Sequence, residues 1–569
     1  MKKILRGLTI GVPLCLFSGS SFAAVPAVPT SQDLQAQAER FQQQYSIEKR
    51  SRDAAIAKAL IQAQEAQKAP AGPEVYFVLH SVRITGTTVF DPKYLDFVWK
   101  PYLNKRVSFN DLNYMVRLIK RVYKDLGFLT TTAYLPPQDI NHGDVEIRVV
   151  EGKLGRLRVE GNRYFSTPSI AKYMHTYGGE VMDMGEMQRD VLRINQNRDL
   201  NVSAVLSPGQ EPETVDVTLN ASENLPWHAS IGTDNQGTRL TGRFRRLVNL
   251  STTNFSGHED TLAFNGAYSD FSSGYYLSYQ TPVGTNGIKL GLDAGYFQGK
   301  LGYEYKQYDI TNYTEIYDPN AAFELYLSPD LQVDLRTGIQ FQNNYKKDAR
   351  TYVTDEKLRL PYVAMDVIKT DPWGQTSFSP ELTFGAPGFL GASREDNALS
   401  SRPETDGFFT KYNQYLSRTQ AMPWGSYIQI KSQFQAAVHT LPTSELLQLG
   451  GVGSVRGYPQ GDYLADIGGY MDTDWYFPNY LIPPSRRWFG TVARNDVEPF
   501  VFYDIGAGRL YRRFTGEEGN KFLSSIGGGI RIHIKGNFYL KLEWALPVGN
   551  KPNHGSGPST FDVSFQAGT

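Results

Sequence analysis

The clearest candidate for chemistry in this sequence is a glycine-rich stretch, residues 449–461, which reads Leu-Gly-Gly-Val-Gly-Ser-Val-Arg-Gly-Tyr-Pro-Gln-Gly. Glycine-rich loops can bind phosphate groups, so two nucleotide-binding motifs were tested. A Walker loop ends in Gly-Lys-Ser/Thr, whereas this stretch has Arg456-Gly457-Tyr458. A dinucleotide fingerprint requires a glycine where Arg456 stands and a helix where a Tyr-Pro-Gln-Gly turn follows. Neither motif is present, and what remains is a bend-prone loop carrying one guanidinium.

Other local signatures of catalysis are missing from the sequence. The eight histidines include no His-Glu-x-x-His, and no Gly-x-Ser-x-Gly occurs. The balance of 58 basic and 58 acidic residues removes the electrostatic case for general nucleic-acid binding. We therefore predict no enzyme activity, no catalytic residue, no cofactor and no metal site. A triad assembled from distant residues stays open at this point.

The first residues have the pattern of a secretory signal peptide. A basic start (residues 1–6) precedes a short apolar core (8–17), and Ser21-Phe22-Ala23 is a small-x-small cleavage site. We predict a signal peptide over 1–23 with cleavage after Ala23. The alternative is an uncleaved anchor helix, which Pro13 disfavours because it shortens the apolar run. The only cysteine, Cys15, lies in this segment, so the exported chain is expected to have neither a disulfide nor a reactive thiol.

The next segment, residues 24–74, is expected to be a helix followed by a linker. Residues 32–68 are rich in Ala, Gln, Glu, Lys and Arg and lack Gly and Pro, which favours a helix. Its apolar residues are too sparse for a core, so we expect it to lie in water or in a wet cavity. Residues 69–73 (Ala-Pro-Ala-Gly-Pro) then form the linker.

Two copies of a small mixed unit follow, over residues 75–152 and 153–224. Each copy of about 75 residues predicts the order strand, helix, helix, strand, strand, which is an internal repeat. In the first copy Ser108 and Asp111 have the spacing of a capping box. The helix after them has one apolar face with the i, i+3, i+4, i+7 pattern, formed by Leu112, Met115, Val116, Ile119, Tyr123 and Leu126.

Residues 225–569 change to a strict period of two, typical of strands with one apolar and one polar face. In 331–342, for example, aliphatic and aromatic residues alternate with Gln, Asp, Arg and Gly. The chain is rich in aromatics and glycine (35 Tyr, 31 Phe, 53 Gly) but has no later apolar run near the ~20 residues of a membrane helix. Strands of about 10 residues leave room for roughly 16 in a closed membrane β-barrel. Candidate aromatics of the membrane interfaces are Tyr275, Tyr276, Tyr296, Trp475, Tyr476, Trp488 and Trp544.

A carboxylate in one of these strands is a candidate partner for Arg456. Alternation over residues 499–508 places Phe500, Phe502 and Asp504 on one face. A carboxylate directed at lipid is costly, so Asp504 should face the lumen. A guanidinium–carboxylate fork would give directional hydrogen bonds able to hold a long loop inside a wet barrel. We therefore pair Arg456 with Asp504; the alternative is that Asp504 only solvates the lumen.

These segments together resemble a known family. The Val-Arg-Gly-Tyr loop resembles that of the Omp85 superfamily, and its Leu-Gly-Gly…Ser-Val context is most similar to two-partner secretion transporters (the TpsB family). The Phe-x-x-x-Asp-x-Gly pattern over 500–506 resembles the second signature of that superfamily, whose aspartate receives the loop arginine. The two repeats resemble POTRA domains, with Val-Glu-Gly closing the first at 150–152. Besides Arg456 and Asp504, the resemblance marks Gly450, Gly451, Val455, Gly457 and Tyr458 in the loop and Phe500, Phe502 and Gly506 in the barrel wall; Gly453, Gly457 and Gly461 are expected to supply the bends.

The resemblance implies an outer-membrane translocator with a 16-stranded β-barrel, two periplasmic POTRA domains, a plug helix within 24–74 and an inward-folded loop around 442–472. Its implied partner is one large secreted exoprotein, recognised through that protein's N-terminal secretion domain and exported by two-partner (type Vb) secretion. Outer-membrane lipid and the barrel-assembly machinery are further implied partners, nucleic acid is not, and the protein is expected to be a monomer. The alternative is an insertase of outer-membrane barrels, although such proteins normally have three to five repeats. The final Gln-Ala-Gly-Thr departs from the aromatic end usual in such barrels.

Overall fold

The computed structural model describes residues 76–568, apart from eleven short gaps at 141, 239, 350, 395–396, 403–404, 406, 484, 489–490, 513–517, 535–536 and 553–558. The predicted signal peptide and the predicted plug helix with its linker lie outside the described residues. The described residues cluster into two compact units, 76–226 and 227–568.

The first half of the smaller unit is a helix packed on short strands. Ser108 and Asp111 form the predicted capping box at the start of the long helix, and its inner face is buried as predicted, except that Leu126 is exposed. The strand predicted over 75–84 is two strands in different sheets, because the chain leaves the first sheet at Leu79. The elements are β1 (Tyr76–Val78), β2 (Ser81–Thr85), α1 (Asp96–Trp99), β3 (Arg106–Ser108), α2 (Phe109–Asp125), β4 (Thr132–Tyr134) and β5 (Asp144–Val150).

The second half repeats the strand, helix, helix, strand, strand order. Its sheet has the order β6-β8-β7, so that β6 and β7 are its edges. Its core is a separate cluster of apolar side chains from the helices and the sheet. The elements are β6 (Lys153–Glu160), α3 (Thr167–Ala171), α4 (Met184–Ile194), β7 (Leu200–Pro208) and β8 (Thr214–Glu223).

In the first half of this unit, a buried glutamate after β5 binds the loop that follows β2. We call this arrangement a closure. The carboxylate of Glu151 accepts hydrogen bonds from the backbone N–H groups of Thr88 and Val89 (2.9 and 3.2 Å) and from the Tyr123 hydroxyl (2.8 Å). Burial alone would raise the pKa of the Glu151 carboxyl, but the hydrogen bonds from Thr88, Tyr123 and Val89 outweigh it and leave this pKa below its ordinary value. Burial, followed by the hydrogen bond to Glu151, raises the pKa of the Tyr123 hydroxyl.

The second half has a closure of the same kind, formed by a more exposed glutamate. Glu223 accepts from the backbone N–H groups of Arg163, Tyr164 and Phe165 at 2.8, 2.5 and 3.2 Å. It is only half-buried, whereas Glu151 is 4% exposed. Each closure therefore joins the end of the last strand of a half to the loop after its first long strand.

The larger unit is a closed barrel of 16 antiparallel strands, which confirms the predicted fold class. The last strand pairs with the first, from Ser564 opposite Asp234 to Gly568 opposite Ser230, and completes the ring. None of the helices that the structure describes is long and apolar enough to cross a membrane. The barrel strands are β9 (Trp227–Asp234), β10 (Arg245–Thr252), β11 (Thr261–Tyr268), β12 (Ser272–Val283), β13 (Ile288–Lys300), β14 (Thr311–Leu327), β15 (Leu331–Asp348), β16 (Thr351–Asp371), β17 (Gly374–Phe384), β18 (Thr410–Ala421), β19 (Tyr427–Ala437), β22 (Ile467–Tyr476), β25 (Val497–Arg509), β26 (Asn520–Ile534), β27 (Phe538–Pro547) and β28 (Thr560–Gly568). Four short strands lie in connections outside the ring: β20 (Leu447–Leu449), β21 (Tyr463–Ala465), β23 (Arg487–Trp488) and β24 (Thr491–Val492).

Alternation along the strands corrects part of the predicted aromatic belts. Tyr275 is 45% exposed on the outer face, but its neighbour Tyr276 is buried inside at 4%. Tyr476 is likewise buried inside, while Trp475 pairs with the outward-facing Val501. Two successive strand residues point to opposite faces, so both members of such a pair cannot lie in one belt.

Candidate functional site: a loop folded into the barrel

The candidate site is built around the 438–466 connection between β19 and β22, which contains the glycine-rich stretch. The connection contains a short antiparallel ribbon, β20 (Leu447–Leu449) and β21 (Tyr463–Ala465). Gly450, Gly451, Gly457 and Gly461 have φ of +104°, +94°, +83° and +66°, which L side chains rarely adopt. Gly453 lies in a turn but is absent from the positive-φ residues, so its bend does not need a left-handed backbone.

Small wall residues let the loop approach the strands closely. A Cβ on Gly506 would lie 2.8 Å from Cγ2 of Val455, which is fully buried. A Cβ on Gly508 would lie 2.6 Å from the Cβ of Ala465 in β21. The Tyr458 hydroxyl donates to the carbonyl of Ser524 in β26 at 3.2 Å. We call residues 455–458 the tip of the loop. Packing of Val455 on Gly506 and the hydrogen bond of Tyr458 hold the tip against β25 and β26.

Arg456 and Asp504 meet inside the barrel. The guanidinium donates to both carboxylate oxygens of Asp504, from Nε at 2.8 Å and from Nη2 at 2.5 Å. The backbone N–H of Arg456 adds a third bond to Asp504 at 2.9 Å. Both side chains are 1% exposed or less. The result is a bidentate fork reinforced by the backbone, the strong form of a charge-assisted hydrogen bond.

Three further carboxylates surround the same guanidinium. Asp472 and Asp474 of β22 lie 2.6 and 2.7 Å from Nη2 of Arg456, and Glu543 of β27 lies 3.2 Å from Nη1. Lys541 lies 2.8 Å from Glu543 and offsets part of this negative charge. The tip cation is therefore held by carboxylates from three strands, β22, β25 and β27.

An aromatic ring supports the guanidinium on its remaining face. The centre of the Phe502 ring lies 3.6 Å from Cζ of Arg456, a cation–π contact. Phe502 in turn occupies the space above Gly527 of β26, where a Cβ would lie 2.4 Å from its ring. Phe500 similarly lies over Gly529, where a Cβ would lie 2.8 Å from the ring. The predicted wall aromatics Phe500 and Phe502 thus pack on glycines of β26, and Phe502 also contacts the guanidinium.

The base of the loop, where the 438–466 connection joins β19 and β22, is held by separate buried ion pairs. We call this part the stalk. Arg402, in the 385–409 connection, contacts Asp466 at 2.9 Å and donates to the carbonyls of Leu441 and Arg512 at 2.7 Å each. Asp466 also accepts from the backbone N–H groups of Leu441 and Tyr511 at 2.8 and 2.9 Å. Arg402 therefore joins three connections of the barrel. Two further pairs bind the loop to strands: Lys411 with Glu445, and Lys521 with Asp462 at 3.1 Å.

Sequence reasoning paired Arg456 with Asp504 but missed Asp472, Asp474, Glu543 and the stalk pairs. A signal for two of them was available: Asp472 and Asp474 are two apart in a strand, so both must face the lumen for the reason already applied to Asp504. Nothing in the spacing placed them next to Arg456. The contacts of this site are ion pairs, hydrogen bonds and packing. Among the described residues, no group of three or more His, Cys, Asp or Glu could hold a metal ion.

Comparison with known proteins connects this geometry to a family. The family described as "Haemolysin secretion/activation protein ShlB/FhaC/HecB" matches residues 213–532, and "POTRA domain, ShlB-type" matches residues 77–152. The "Heme/hemopexin transporter protein HuxB" of Haemophilus influenzae is 25% identical over 474 residues, covering 81% of each chain. The "Outer membrane transporter CdiB" of Escherichia coli is 25% identical over 558 residues, covering 95% of this chain and 91% of the relative. The solved structure "CdiB from Escherichia coli" superposes with a TM-score of 0.73 at 19% identity, covering 89% of this chain and 93% of that one.

Proposed function

Because this chain belongs to the haemolysin secretion/activation protein family of two-partner secretion transporters, we propose that it exports one large exoprotein across the outer membrane. The barrel lies in the outer membrane and the POTRA end of the chain lies in the periplasm. In our proposal the POTRA unit recognises the N-terminal secretion domain of the unfolded exoprotein, and the barrel conducts the chain to the cell surface or medium. The work of the protein is transport, with no catalytic step.

The observation that carries this proposal is the manner in which the loop is held inside the barrel. The tip is attached by one arginine to side chains of three strands, and none of these contacts belongs to the strand ladder. Such a loop can change position while the ring of 16 strands stays closed. A translocation path needs that property, because the polypeptide must pass through a barrel that remains in the membrane. We assign Arg456 and Asp504 the role of a releasable lock.

The POTRA unit offers a surface suited to an extended client. Strand β7 is an edge of its sheet, and its residues Val205 and Leu206 are exposed. An unpaired edge can accept an added strand through backbone hydrogen bonds, while side-chain contacts select the sequence. We propose that the secretion domain of the exoprotein is recognised in this way before it enters the barrel.

The test is a secretion assay with the large exoprotein encoded beside this chain. Cells express the chain together with an N-terminal fragment of that exoprotein, and the medium is probed for the fragment. We expect the fragment in the medium with the intact chain and in the periplasm when residues 75–224 are deleted. Barrel assembly is checked in both strains by the heat-modifiable mobility of the protein in gels.

Retention of the fragment beside a correctly assembled intact barrel would contradict export of this partner. A loss of other outer-membrane barrels on deletion of the gene would instead support an insertase. The two outcomes are distinguishable, because an insertase defect lowers the level of unrelated barrels and an export defect does not.

A further inference from the structure

Three successive connections at one end of the barrel carry large exposed apolar side chains. They lie between β16 and β17, between β18 and β19, and between β22 and β25. Trp373 in the first is 67% exposed, Trp424 in the second 83%, and Leu481 in the third 94%. Tyr480, beside Leu481, is also exposed. We call Trp373, Trp424, Tyr480 and Leu481 the aromatic arc.

The arc lies at the periplasmic end of the barrel. Strand β9 begins at Trp227, directly after the periplasmic unit in the chain, and the barrel strands then alternate in direction. The three connections therefore follow strands that run toward the periplasm. Since β16 to β19, β22 and β25 are consecutive in the ring, the arc occupies one continuous part of the rim.

The backbone holds these side chains in place. Trp424 has φ of +61°, a left-handed conformation that L residues rarely adopt. The hydroxyl of Tyr480 donates to the carbonyl of Trp424 and links the second connection to the third. The backbone N–H of Ala421 donates to the carbonyl of Trp373 at 2.7 Å and links the first to the second. A strained residue that presents an indole ring to solvent points to a contact made outside the chain.

The arc continues the lipid-facing surface of the barrel. Trp475, the last outward residue of β22, pairs with Val501, which is exposed on the outer face. Its ring packs on that of Phe477 with centroids 4.7 Å apart, and Phe477 begins the connection that carries Tyr480 and Leu481. The apolar outer face of β22 thus continues through Phe477 into the connection that carries Tyr480 and Leu481.

The charge of the third connection suits the phosphates of a bilayer surface. The described residues of this connection include three arginines, Arg486, Arg487 and Arg494, and a single acidic residue, Asp496. Asp496 is buried and accepts a hydrogen bond from the Trp488 indole at 2.8 Å. Arg486 and Arg487 are exposed, and Arg494 lies over the Tyr480 ring with Cζ 4.5 Å from its centre. Aromatic side chains beside arginines are typical of the headgroup region of a membrane.

We propose that the aromatic arc is an anchor that inserts into the inner leaflet of the outer membrane, with the three arginines binding the phosphates of anionic phospholipid headgroups. The anchor would fix the depth of this side of the periplasmic rim. It does not depend on which exoprotein the barrel exports, or on whether the barrel exports one.

A fluorescent probe on Leu481 tests the proposal in the full-length protein. Cys15→Ser removes the only cysteine, Leu481→Cys then accepts an NBD label, and Asn286→Cys supplies a matched site in the exposed polar connection between β12 and β13. Both proteins are reconstituted in vesicles of phosphatidylethanolamine and phosphatidylglycerol containing a lipid spin-labelled near the headgroup. We expect the lipid quencher to quench the probe at 481 at least about threefold more than the probe at 286, with aqueous iodide giving the reverse order. Equal quenching at the two sites by both quenchers would overturn the anchor.

The arginines are tested separately. Replacing phosphatidylglycerol by phosphatidylcholine, or introducing Arg486→Gln together with Arg487→Gln, should each reduce lipid quenching at 481 by about half. Unchanged quenching in both cases would refute recognition of anionic headgroups. If Trp424→Ala also left the lipid quenching at 481 unchanged, the arc would not act as a unit.

Discussion

The loop inside the barrel and the first half of the smaller unit both bury carboxylates, but they satisfy them differently. Asp504 meets an arginine 48 residues away, and the same guanidinium also contacts carboxylates of β22 and β27. Glu151 instead accepts N–H groups from the backbone of its own domain. The first arrangement joins a loop to strands whose pairing does not include it, whereas the second is part of the domain's fold. The contacts of Arg456 can therefore break while the protein stays folded, whereas the contacts of Glu151 break only when its domain opens.

The largest effect is expected when the lock is removed. Arg456→Ala leaves three buried carboxylates and the part-buried Asp472 without their guanidinium, and loss of one partner of a buried ion pair costs about 3–5 kcal/mol. We expect export of the exoprotein fragment to fall about tenfold or more, while the barrel retains its heat-modifiable mobility. Arg456→Lys keeps a charge but not the fork and should give an intermediate value. Normal secretion by the alanine variant would remove the lock from the mechanism.

A different kind of loss is expected when the first POTRA closure is weakened. Glu151→Gln leaves one acceptor oxygen where the carboxylate has two, and its NH₂ then faces the Thr88 hydroxyl and backbone N–H that donate to Oε2, so the free energy of opening this domain should fall by about 3 kcal/mol. Hydrogen exchange of α2 and β5 in the full-length protein measures this change. The exposed Glu160→Gln is the matched control and should leave exchange unchanged. Equal protection in the two variants would show that Glu151 is not a closure.

The same residue gives the first half of the unit a dependence on pH. The folded-state pKa of Glu151 is lowered, so its contribution is fully present above the unfolded value of about 4.3 and is lost as pH falls through the folded pKa. We expect protection of α2 to decline as pH is lowered from about 5 to 3, more steeply in the unmodified chain than in Glu151→Gln. Parallel declines in the two proteins would assign the acid sensitivity to other carboxyls.

A smaller effect is expected at the stalk of the loop. Arg402→Met leaves Asp466 with two backbone N–H donors, so the loss should be about 2 kcal/mol, less than at Arg456. We expect faster cleavage of the 385–409 connection by protease added to cells, with the Arg456 contacts and export retained. The exposed Arg394→Met in the same connection is the control. A loss of export as large as that of Arg456→Ala would make the stalk and the tip a single lock.

The smallest effect is expected at the closure in the second half of the smaller unit. Glu223 also accepts backbone N–H groups, three against two for Glu151, but it is half-buried, so water can replace part of what Glu223→Gln removes. The opening free energy of this half should fall by about 1 kcal/mol, measured by hydrogen exchange of β8. A loss equal to that of Glu151→Gln would mean that burial does not distinguish the two closures.

The architecture could be predicted because strands and repeated domains each produce a periodic pattern of residues in the sequence. The strand alternation and the repeated unit predict the barrel and the two halves, and lumen-facing Asp504 follows from the cost of a carboxylate in lipid. The remaining partners of Arg456 could not be predicted, because contact between Glu543 and a loop 87 residues away depends on strand order and register. Residue type predicts Tyr276 and Tyr476 at the membrane interfaces, but alternation along their strands places both side chains inside the barrel. Residue type also does not reveal which glycine of a series takes positive φ, as Gly451 does and Gly453 does not.

The closing pair of strands, β28 with β9, has a consequence for the order in which the molecule is made. The ring is completed by the last residues of the chain, through five residue pairs between these two strands. All the carboxylates around Arg456 lie between residues 472 and 543, on strands that precede β28 in the chain. The arginine can therefore find its complete set of partners while the sheet is still an open, curved wall. Biogenesis need not thread the loop into a finished cylinder, since the cylinder can close around a loop that is already seated.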